Sequence, residues 1–498
     1  MAKRASRRKR APRRKTVGAE PELPELVIGL AAAVGTPLDH IQTLLSEHLE
    51  PLGYSTEVLR LSDYTRRFRL TSRSPTEGAR EAKRIDAMMN RGNEARSKTG
   101  RNDILALCAI ADIRSRREDD ASALPKQAFV LRQLKHPDEV YLLRRTYGDG
   151  FHLLGLYCPR RVREEHLRSR GANHREIEGL IQRDENEPSE SGQHLRDTFH
   201  LSDVFLEISD RAQPVEDQLR RFFRLLFGDG VIGPTIDEFG MFHAQAAALR
   251  SAQLGRQVGA AVLSERGDVI ATGTNDVPRS GGGLYWEHDG DDARDHVRGR
   301  DSTDQAEEQL MQELAERLHP AWSKASSSKQ RQLTEEYASK LKSSRVTSLT
   351  EFGRAVHAEA EALLSAARMG VSPRGALLFC TTFPCHVCAR HIVAAGVQQV
   401  TYIEPYPKSR ALELHDDSIS IEEEQAGRVV FKPFVGVAPR RFGRLFSMVS
   451  EEGAEIRRKD AEGRLVSTRA GLRLRLPYFS ALDREKLAAE ELENISTD

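Results

Sequence analysis

Residues 357–405 read HAEAEALLSAARMGVSPRGALLFCTTFPCHVCARHIVAAGVQQVTYIEP, in which two helical patterns are each followed by a short apolar run. The runs GALLFCTT and QQVTYIEP have the length and the β-type composition of buried strands. Strands that alternate with helices indicate a parallel sheet with helices packed on it. This segment therefore predicts an α/β fold for the C-terminal half of the chain.

The same segment carries a set of metal-binding residues. His357 precedes Glu359 by two positions, and Cys385 and Cys388 lie three apart in Pro-Cys-His-Val-Cys. A catalytic zinc takes three nitrogen or sulfur ligands from the protein and lowers the pKa of a water molecule in the fourth position. We predict that His357, Cys385 and Cys388 hold Zn²⁺ and that Glu359 transfers the proton. This pair of motifs is the signature of nucleobase deaminases.

A structural zinc site is the alternative interpretation of these motifs. Such a site normally has four protein ligands, and Cys380, His386 and His391 are the nearby candidates for a fourth. Cys380 lies in an apolar strand pattern, and the two histidines occupy polar helix positions. The sequence therefore favours a catalytic site over a structural one.

Glycine and proline divide the chain into domains. The break FGDGVIGPT at 227–235 separates an N-terminal α/β domain, predicted over 21–235, from a deaminase-like domain, predicted over 236–445. In the first domain the apolar runs ELVIGLAAAVGT, STEVLRL, QAFVLRQL, GFHLLGLYC and SDVFLEI alternate with helical stretches, which predicts a parallel sheet covered on both faces. A polar insertion is predicted at about 281–350, and 446–498 is predicted to form a charged, peripheral C-terminal extension.

Composition limits the classes of function. With a net charge of +1, the protein as a whole has no overall electrostatic attraction to nucleic acid. Nine of the first fifteen residues are Lys or Arg, so 1–20 is predicted to be a disordered basic tail. A solvated tail and a contact with RNA or DNA are both open interpretations of it. No apolar run approaches the roughly 18–20 residues of a membrane span, and we expect a cytoplasmic protein with no membrane partner.

Residues 236–405 resemble the deoxycytidylate deaminase branch of the cytidine deaminase fold. The resemblance lies in AALRSAQLGRQVGAAVLSERGDVIATGTNDVP, HAEAEALL and FPCHVCARHIVAAGVQQV. It implies that Asn275 contacts the nucleotide sugar and that Arg256 lies beside the nucleotide. For Arg256, a surface charge without a substrate role is an equally open interpretation.

The N-terminal domain resembles nucleoside-monophosphate kinase-like P-loop domains, with a degenerate loop. Gly29 and Gly35 are separated by five residues in place of four, and Thr36-Pro37 stands where Lys and Ser or Thr are expected. Without the lysine, phosphoryl transfer lacks its main cation. We therefore predict a nucleotide-sensing or structural role, with Gly29, Gly35 and Thr36 as candidate nucleotide-binding residues at the helix start.

A degenerate P-loop domain followed by this deaminase is the arrangement of bacterial anti-phage dCTP deaminases. The chain is similar to that family over nearly all residues after 20, also through QAFVLRQLKHPDEVYLLRRTYGDGFHLLGLY, GQHLRDTFHLSDVF and DARDHVRGRDSTD. The resemblance implies zinc-dependent conversion of dCTP to dUTP, with dCMP as the second candidate substrate, which depletes the nucleotide pool during phage infection. It also implies an inhibitory small RNA as a partner, and we expect a homo-oligomer.

A polynucleotide cytosine- or adenosine-editing deaminase is the alternative function. Such enzymes stack the target base on aromatic side chains. Aromatic residues make up only 6% of this chain, which favours a free nucleotide as the substrate.

Overall fold

A computed structural model shows an α/β protein built on two six-stranded, mostly parallel sheets. The structure describes residues 24–76, 78, 80–117, 124–185, 192, 194–208, 212–341, 344, 353–406, 409–421, 425–449, 458–465 and 472–495. The predicted basic tail, 1–20, lies outside these residues. Within the described ranges, no helix combines the length and apolar character needed to cross a membrane.

The strands and helices follow one another as the apolar patterns predict. The strands are β1 Leu26–Ala32, β2 Ser55–Arg60, β3 Gln127–Arg132, β4 Phe151–Tyr157, β5 Val204–Glu207, β6 Gly259–Leu263, β7 Val269–Thr274, β8 Leu377–Thr382, β9 Gln399–Glu404, β10 Ile419–Ile421, β11 Val429–Pro433 and β12 Gly436–Val437. The helices are α1 Leu38–Leu49, α2 Glu81–Thr99, α3 Ile104–Arg114, α4 Pro137–Tyr147, α5 Arg160–Ser169, α6 His174–Glu185, α7 Leu195–Phe199, α8 Ala212–Leu226, α9 Ile236–Ala248, α10 Asp295–Arg298, α11 Ser302–Leu318, α12 Ser327–Leu341, α13 Ala358–Arg368, α14 His386–Ala394, α15 Ala411–Leu414, α16 Pro439–Phe446 and α17 Tyr478–Glu493.

The first sheet has the strand order β12-β5-β4-β1-β3-β2. Strands β1 to β5 run parallel, and β12 pairs antiparallel with β5. Both faces are buried, with α1 and α8 on one face and α3 and α4 on the other. The continuous apolar runs in the sequence are explained by this double cover, because a strand buried on both faces has no polar alternation.

The second sheet has the order β10-β11-β9-β8-β6-β7. Strands β8 to β11 run parallel, whereas β6 pairs antiparallel with both β7 and β8. Strands β6 and β7 form a hairpin, joined by residues 264–268. Helix α9 packs on one face, and α13 and α14 pack on the other. The residues predicted to bind metal therefore share one face of this sheet.

The C-terminal segment packs on the first sheet, which differs from the predicted peripheral extension. Strand β12 joins the first sheet, although the sequence boundary placed 236–445 with the second domain. Leu472 and Leu474 are buried in the core on one face, and Leu476 is buried on the other. The structure corrects the prediction because these leucines, set among charged residues, complete two apolar cores.

An ion-pair network fixes α17 to the N-terminal domain. The guanidinium of Arg117 lies 2.6 Å from a carboxylate oxygen of Glu25 and 2.6 Å from one of Glu485 in α17, and all three side chains are almost fully buried. Removing one partner from such a network would leave an uncompensated buried charge. The C-terminal helix is therefore part of the first domain's core.

The insertion predicted at about 281–350 contains the short helix α10 and the helical pair α11 and α12. Ala315, Trp322 and Leu333 form a small apolar core between the two longer helices. Residues 342–343 and 345–350 of the insertion lie outside the described part of the chain. The described part packs around its own core and adds no strand to either sheet.

Candidate metal centre and active site

Helix α13 begins directly against strand β7, and this contact positions His357 and Glu359. A Cβ atom on Gly273 would lie 2.2 Å from the carbonyl oxygen of Ala358 and 2.3 Å from the amide nitrogen of Ala362. No side chain fits in that space, so glycine permits the close approach of helix to strand. His357 is the residue before the helix, and Glu359 lies in its first turn.

Helix α14 supplies the two cysteines. Cys385 is the residue before the helix, and its sulfur accepts a hydrogen bond from the amide of Cys388 at 3.4 Å. The Nδ1 atom of His357 lies 3.2 Å from the Cys385 sulfur and 3.4 Å from the Cys388 sulfur. The three candidate ligand atoms all lie within 4.8 Å of one another.

The donor set fits a tetrahedral zinc ion. With Zn–S bonds of about 2.3 Å and Zn–N bonds of about 2.0–2.1 Å, tetrahedral angles place sulfur and nitrogen ligands about 3.5 Å apart. The observed separations of 3.2 and 3.4 Å are close to that value. Among the described residues, the group holds three ligands and includes none of Cys380, His386 and His391. Three protein ligands are the number found in catalytic zinc sites.

Burial and hydrogen bonding set the electrostatics of this group. The hydrogen bond with Cys385, followed by charge interactions, raises the pKa of His357 despite its burial. A hydrogen bond from Cys388 lowers the pKa of the Cys385 thiol to about 4, since it stabilises the thiolate. Burial raises the pKa of Glu359, whose side chain is only 4% exposed. A carboxylate whose pKa is raised is a stronger base and therefore a better proton acceptor.

Asn275 braces the loop that precedes β6. Its Oδ1 accepts the amide N–H of Val258 at 2.7 Å, and its Nδ2 donates to the carbonyl of Arg256 at 2.8 Å. The next residue, Asp276, accepts a backbone hydrogen bond at 3.0 Å from Val356, immediately before the histidine ligand. The segment after β7, Asn275 and Asp276, which we call the Asn275 loop, therefore lies next to the metal group. The contact of Asn275 with a nucleotide sugar stays a prediction.

Arg256 lies at the carboxyl ends of β8 and β9. Its guanidinium contacts the carboxylate of Glu404 and lies 3.3 Å from the hydroxyl of Thr382, three residues before Cys385. The side chain is half exposed. The contact with Glu404 gives it a structural partner, and its role beside a nucleotide stays a prediction.

Arg250 and Trp286 form a contact that the sequence did not reveal. The guanidinium carbon of Arg250 lies 3.7 Å from the centroid of the indole ring, and Trp286 is 61% exposed. The neighbouring Ser251 donates its hydroxyl proton to the carbonyl of Asn275 at 2.6 Å. This contact joins the start of the insertion to the Asn275 loop, and no local pattern signals a pair 36 positions apart.

Of the three candidate nucleotide-binding residues of the N-terminal domain, Gly35 and Thr36 lie together in a turn and Gly29 lies apart from them in a strand. Gly29 is in the middle of β1, where a Cβ atom would lie 2.7 Å from Leu134 and 2.9 Å from Phe151. The structure therefore corrects its assignment to a loop, because tight strand packing explains this glycine. Gly35, with a φ of +87°, and Thr36 do lie in the turn between β1 and α1.

Replacing Gly273 by Ala should displace the start of α13. The added methyl group would overlap backbone atoms at 2.2–2.3 Å, and overpacking of this kind costs about 1–3 kcal/mol. We expect a lower midpoint of thermal unfolding and weaker zinc retention under chelation. Gly255→Ala is the matched control, since a Cβ atom there meets nothing within 4 Å. Equal behaviour of the two variants would contradict the positioning role of Gly273.

Comparison with known proteins agrees with this geometry. Residues 234–404 match the family model of the cytidine and deoxycytidylate deaminase zinc-binding region. The chain is similar to the deoxycytidylate deaminase of Enterobacteria phage T4, with 42% identity over 55 residues, which cover 11% of this chain and 28% of that protein. It is also similar to ComE operon protein 2 of Bacillus subtilis (strain 168), with 40% identity over 53 residues, again 11% and 28%.

The chain spans less than a third of the length of these curated relatives. Among solved structures, the dCMP deaminase from the cyanophage S-TIM5 in complex with dCMP and dUMP aligns at 20% identity and a TM-score of 0.24, covering 40% of this chain and 98% of that one. With the family match over 234–404 and the grouping of His357, Cys385 and Cys388, the C-terminal half of the chain contains a zinc-binding domain of the cytidine and deoxycytidylate deaminase family.

Proposed function

We propose that the protein removes the amino group of cytosine from free deoxycytidine nucleotides, with dCTP as the favoured substrate and dCMP as the next. One observation carries this proposal. Three candidate zinc ligands, His357, Cys385 and Cys388, lie with the buried carboxyl group of Glu359 at the starts of α13 and α14. These residues fall within the stretch that matches the cytidine and deoxycytidylate deaminase family.

The reaction replaces the exocyclic amino group of the ring by an oxygen atom from water and releases ammonia. A zinc ion held by His357, Cys385 and Cys388 would act as a Lewis acid that lowers the pKa of a water molecule. We assign the proton transfers to Glu359. Its carboxylate accepts one proton from water and delivers it to the ring nitrogen. It then takes the second proton from the hydroxyl group that water has added to the ring and passes it to the amino group, which leaves as ammonia. Its raised pKa suits its role as a proton acceptor.

The nucleotide part of the substrate is inferred from two supports. The curated relatives include proteins named deoxycytidylate deaminase, which favours a deoxycytidine mononucleotide over a free base. A triphosphate also needs cations. Arg298, the last residue of α10, and Arg300, two residues after it, have no ion pair with a described residue. Arg354, three residues before the histidine ligand, contacts α10 through Asp295 at 3.1 Å. That contact brings the α10 segment close to the metal group.

The substrate is tested by supplying the zinc-loaded protein separately with dCTP, dCMP, CTP, deoxycytidine and cytosine-containing single-stranded DNA. Ammonia release and the mass of the product report the reaction. We expect the fastest turnover with dCTP and slower turnover with dCMP. Turnover of the DNA without turnover of any free nucleotide would replace this proposal by the polynucleotide-editing function.

We further propose that this activity depletes deoxycytidine nucleotides during phage infection. The support is the similarity of the chain, in its order of domains and its sequence stretches, to anti-phage dCTP deaminases. Bacteria that express the wild-type protein should show a lower dCTP pool and a lower phage yield after infection than bacteria that express Glu359→Ala. The inhibitory small RNA and the homo-oligomer stay predictions.

A further inference from the structure

A cavity of about 140 Å³ lies at the carboxyl ends of β1, β2 and β3 in the first sheet. Its walls include residues 34–36 after β1, 60–62 at the end of β2, and 132, 133 and 135 at the end of β3. The helices that follow β1 and β3, α1 and α4, pack on opposite faces of the sheet. Neighbouring strands whose connections diverge in this way leave the crevice in which open α/β sheets bind ligands.

The wall of this cavity is strongly basic. Its lining includes six cationic side chains and one acidic side chain, Glu81; the cations are Arg60, Arg84, Arg96, Arg132, Lys135 and Arg170. Two of the six have their own buried carboxylate, since Arg96 pairs with Glu139 at 3.0 Å and Lys135 pairs with Asp184 at 2.6 Å. The other four cations, all arginines, give the cavity its positive charge.

Three of these arginines share only two carboxylates. Arg132 and Arg170 lie 2.5 and 3.0 Å from oxygens of Asp39, and Arg84 and Arg170 lie 2.8 and 3.6 Å from oxygens of Glu81. Hydrogen bonds from Arg132 and Arg84 hold the pKa values of Asp39 and Glu81, respectively, below their ordinary range. The three arginines outnumber the two carboxylates that they contact, and Asp63 adds a further charge interaction with Arg84.

Arg60 adds a further positive charge, because it has no ion pair with a described residue. Such an excess of guanidinium groups around one cavity favours an anion with several oxygens, which arginine binds through paired N–H donors. The lysine missing from the turn after β1 is therefore replaced, in charge, by arginines from other segments.

Thr36 gives an independent indication of a ligand. Its side chain lines the cavity and is only 5% exposed, yet its hydroxyl has no hydrogen-bond partner in the described structure. A buried hydroxyl without a partner is costly and calls for an explanation. Thr36 lies two residues before α1, a 12-residue helix whose start has no side-chain cap. A helix start in this condition favours a negative charge.

We infer that this cavity binds the phosphate groups of a phosphorylated ligand. Arg60, Arg84, Arg132 and Arg170 supply the charge, and the Thr36 hydroxyl donates a hydrogen bond to a phosphate oxygen. Ile85, Met88 and Met89 line the same cavity and offer apolar contact to a group attached to the phosphate. The site belongs to the first sheet and does not depend on the proposed deamination.

The first test is isothermal titration calorimetry of the full-length protein at low ionic strength. The probes are inorganic phosphate, tripolyphosphate, ATP and GTP, none of which carries a cytosine ring. We expect saturable binding that weakens with added salt. Binding of ATP or GTP tighter than that of tripolyphosphate would identify a nucleotide as the source of the phosphate, and equal affinities would identify a free phosphate anion. The absence of binding by all four probes would overturn the inference.

Arg60→Gln is the sharpest variant, since it breaks no ion pair within the described protein. We expect its affinity for the tightest probe to fall about tenfold, the effect of losing one charge-assisted hydrogen bond. Arg220→Gln is the matched control, because it makes the same charge change on exposed α8, where Arg220 pairs with Glu216 and Asp217. Equal affinities of these two variants would contradict the site.

Thr36→Val separates binding from stability. Valine keeps the shape of threonine and removes a hydroxyl that has no partner in the protein, so folding should be unchanged or favoured. We expect weaker binding of the same probe in a protein of equal or higher thermal stability. Unchanged affinity would show that the hydroxyl does not contact the ligand and would overturn that part of the inference.

Discussion

Replacing Glu359 by Gln should abolish deamination while the zinc ion stays bound. The carboxyl group is not among the three candidate ligands, and its side chain is buried beside them. A positioned general acid and base contributes about 10²–10⁴-fold to the rate, so kcat should fall by that factor. The measurements are the initial rate with the preferred nucleotide and the zinc content by mass spectrometry.

Glu361→Gln is the matched control for this variant. Glu361 lies two positions further along α13, is also buried, and forms an ion pair with Arg368. Its loss should lower stability with little effect on kcat for the folded enzyme. If Glu359→Gln keeps a rate within tenfold of the wild type, or if it loses its zinc, the proton-transfer role is wrong.

The elements of this fold could be predicted because their signals are local. The apolar runs that became β1 to β5 are short, continuous and separated by helical stretches, as buried parallel strands require. The two motifs of the site were also local, since Cys385 and Cys388 lie on one helical turn and Glu359 follows His357 by two positions. The structure adds that the two motifs meet, with the Nδ1 atom of His357 3.2 Å from the sulfur of Cys385.

The errors came from packing between distant segments. The buried network of Arg117, Glu25 and Glu485 includes a direct contact between Arg117 and Glu485, 368 positions apart, so the charged C-terminal residues looked peripheral in the sequence. Gly29 was matched to the first glycine of a phosphate-binding loop, whereas it lies in the middle of β1, where its lack of a side chain admits Leu134 and Phe151.

The arginines of the basic cavity had no sequence signal for the same reason, although Gly35 and Thr36 in its lining were candidates. Its cations come from the ends of two strands, from α2 and from the segment after α5, and no two of the four decisive arginines are close in the chain. Only the topology of the first sheet brings them together at one edge. Sites made from several segments are therefore the part of a function that spacing rules miss.

Replacing either Cys385 or Cys388 by Ala should remove both zinc and activity. Two remaining ligands, one histidine and one thiolate, are too few for a stable site, because catalytic zinc takes three protein ligands. We expect the metal content to fall from one equivalent per chain to none after dialysis against a mild chelator. Zinc retention in the wild-type protein should also weaken as the pH falls, since His357 and both thiols must lose their protons to bind the metal.

Cys380→Ala makes this prediction specific. Cys380 is fully buried in β8, and its sulfur lies 3.8 Å from the carbonyl oxygen of Thr401, outside the group of ligand atoms. The control therefore removes a buried thiol five residues from Cys385 without removing a ligand, and it should keep one zinc per chain and most of the activity. Loss of zinc from Cys380→Ala, or full retention of zinc in Cys385→Ala, would show that the metal is held by a different set of residues. If zinc is lost only from the Cys385 and Cys388 variants, these two sulfurs hold the ion, and His357, within 3.4 Å of both, is the third ligand.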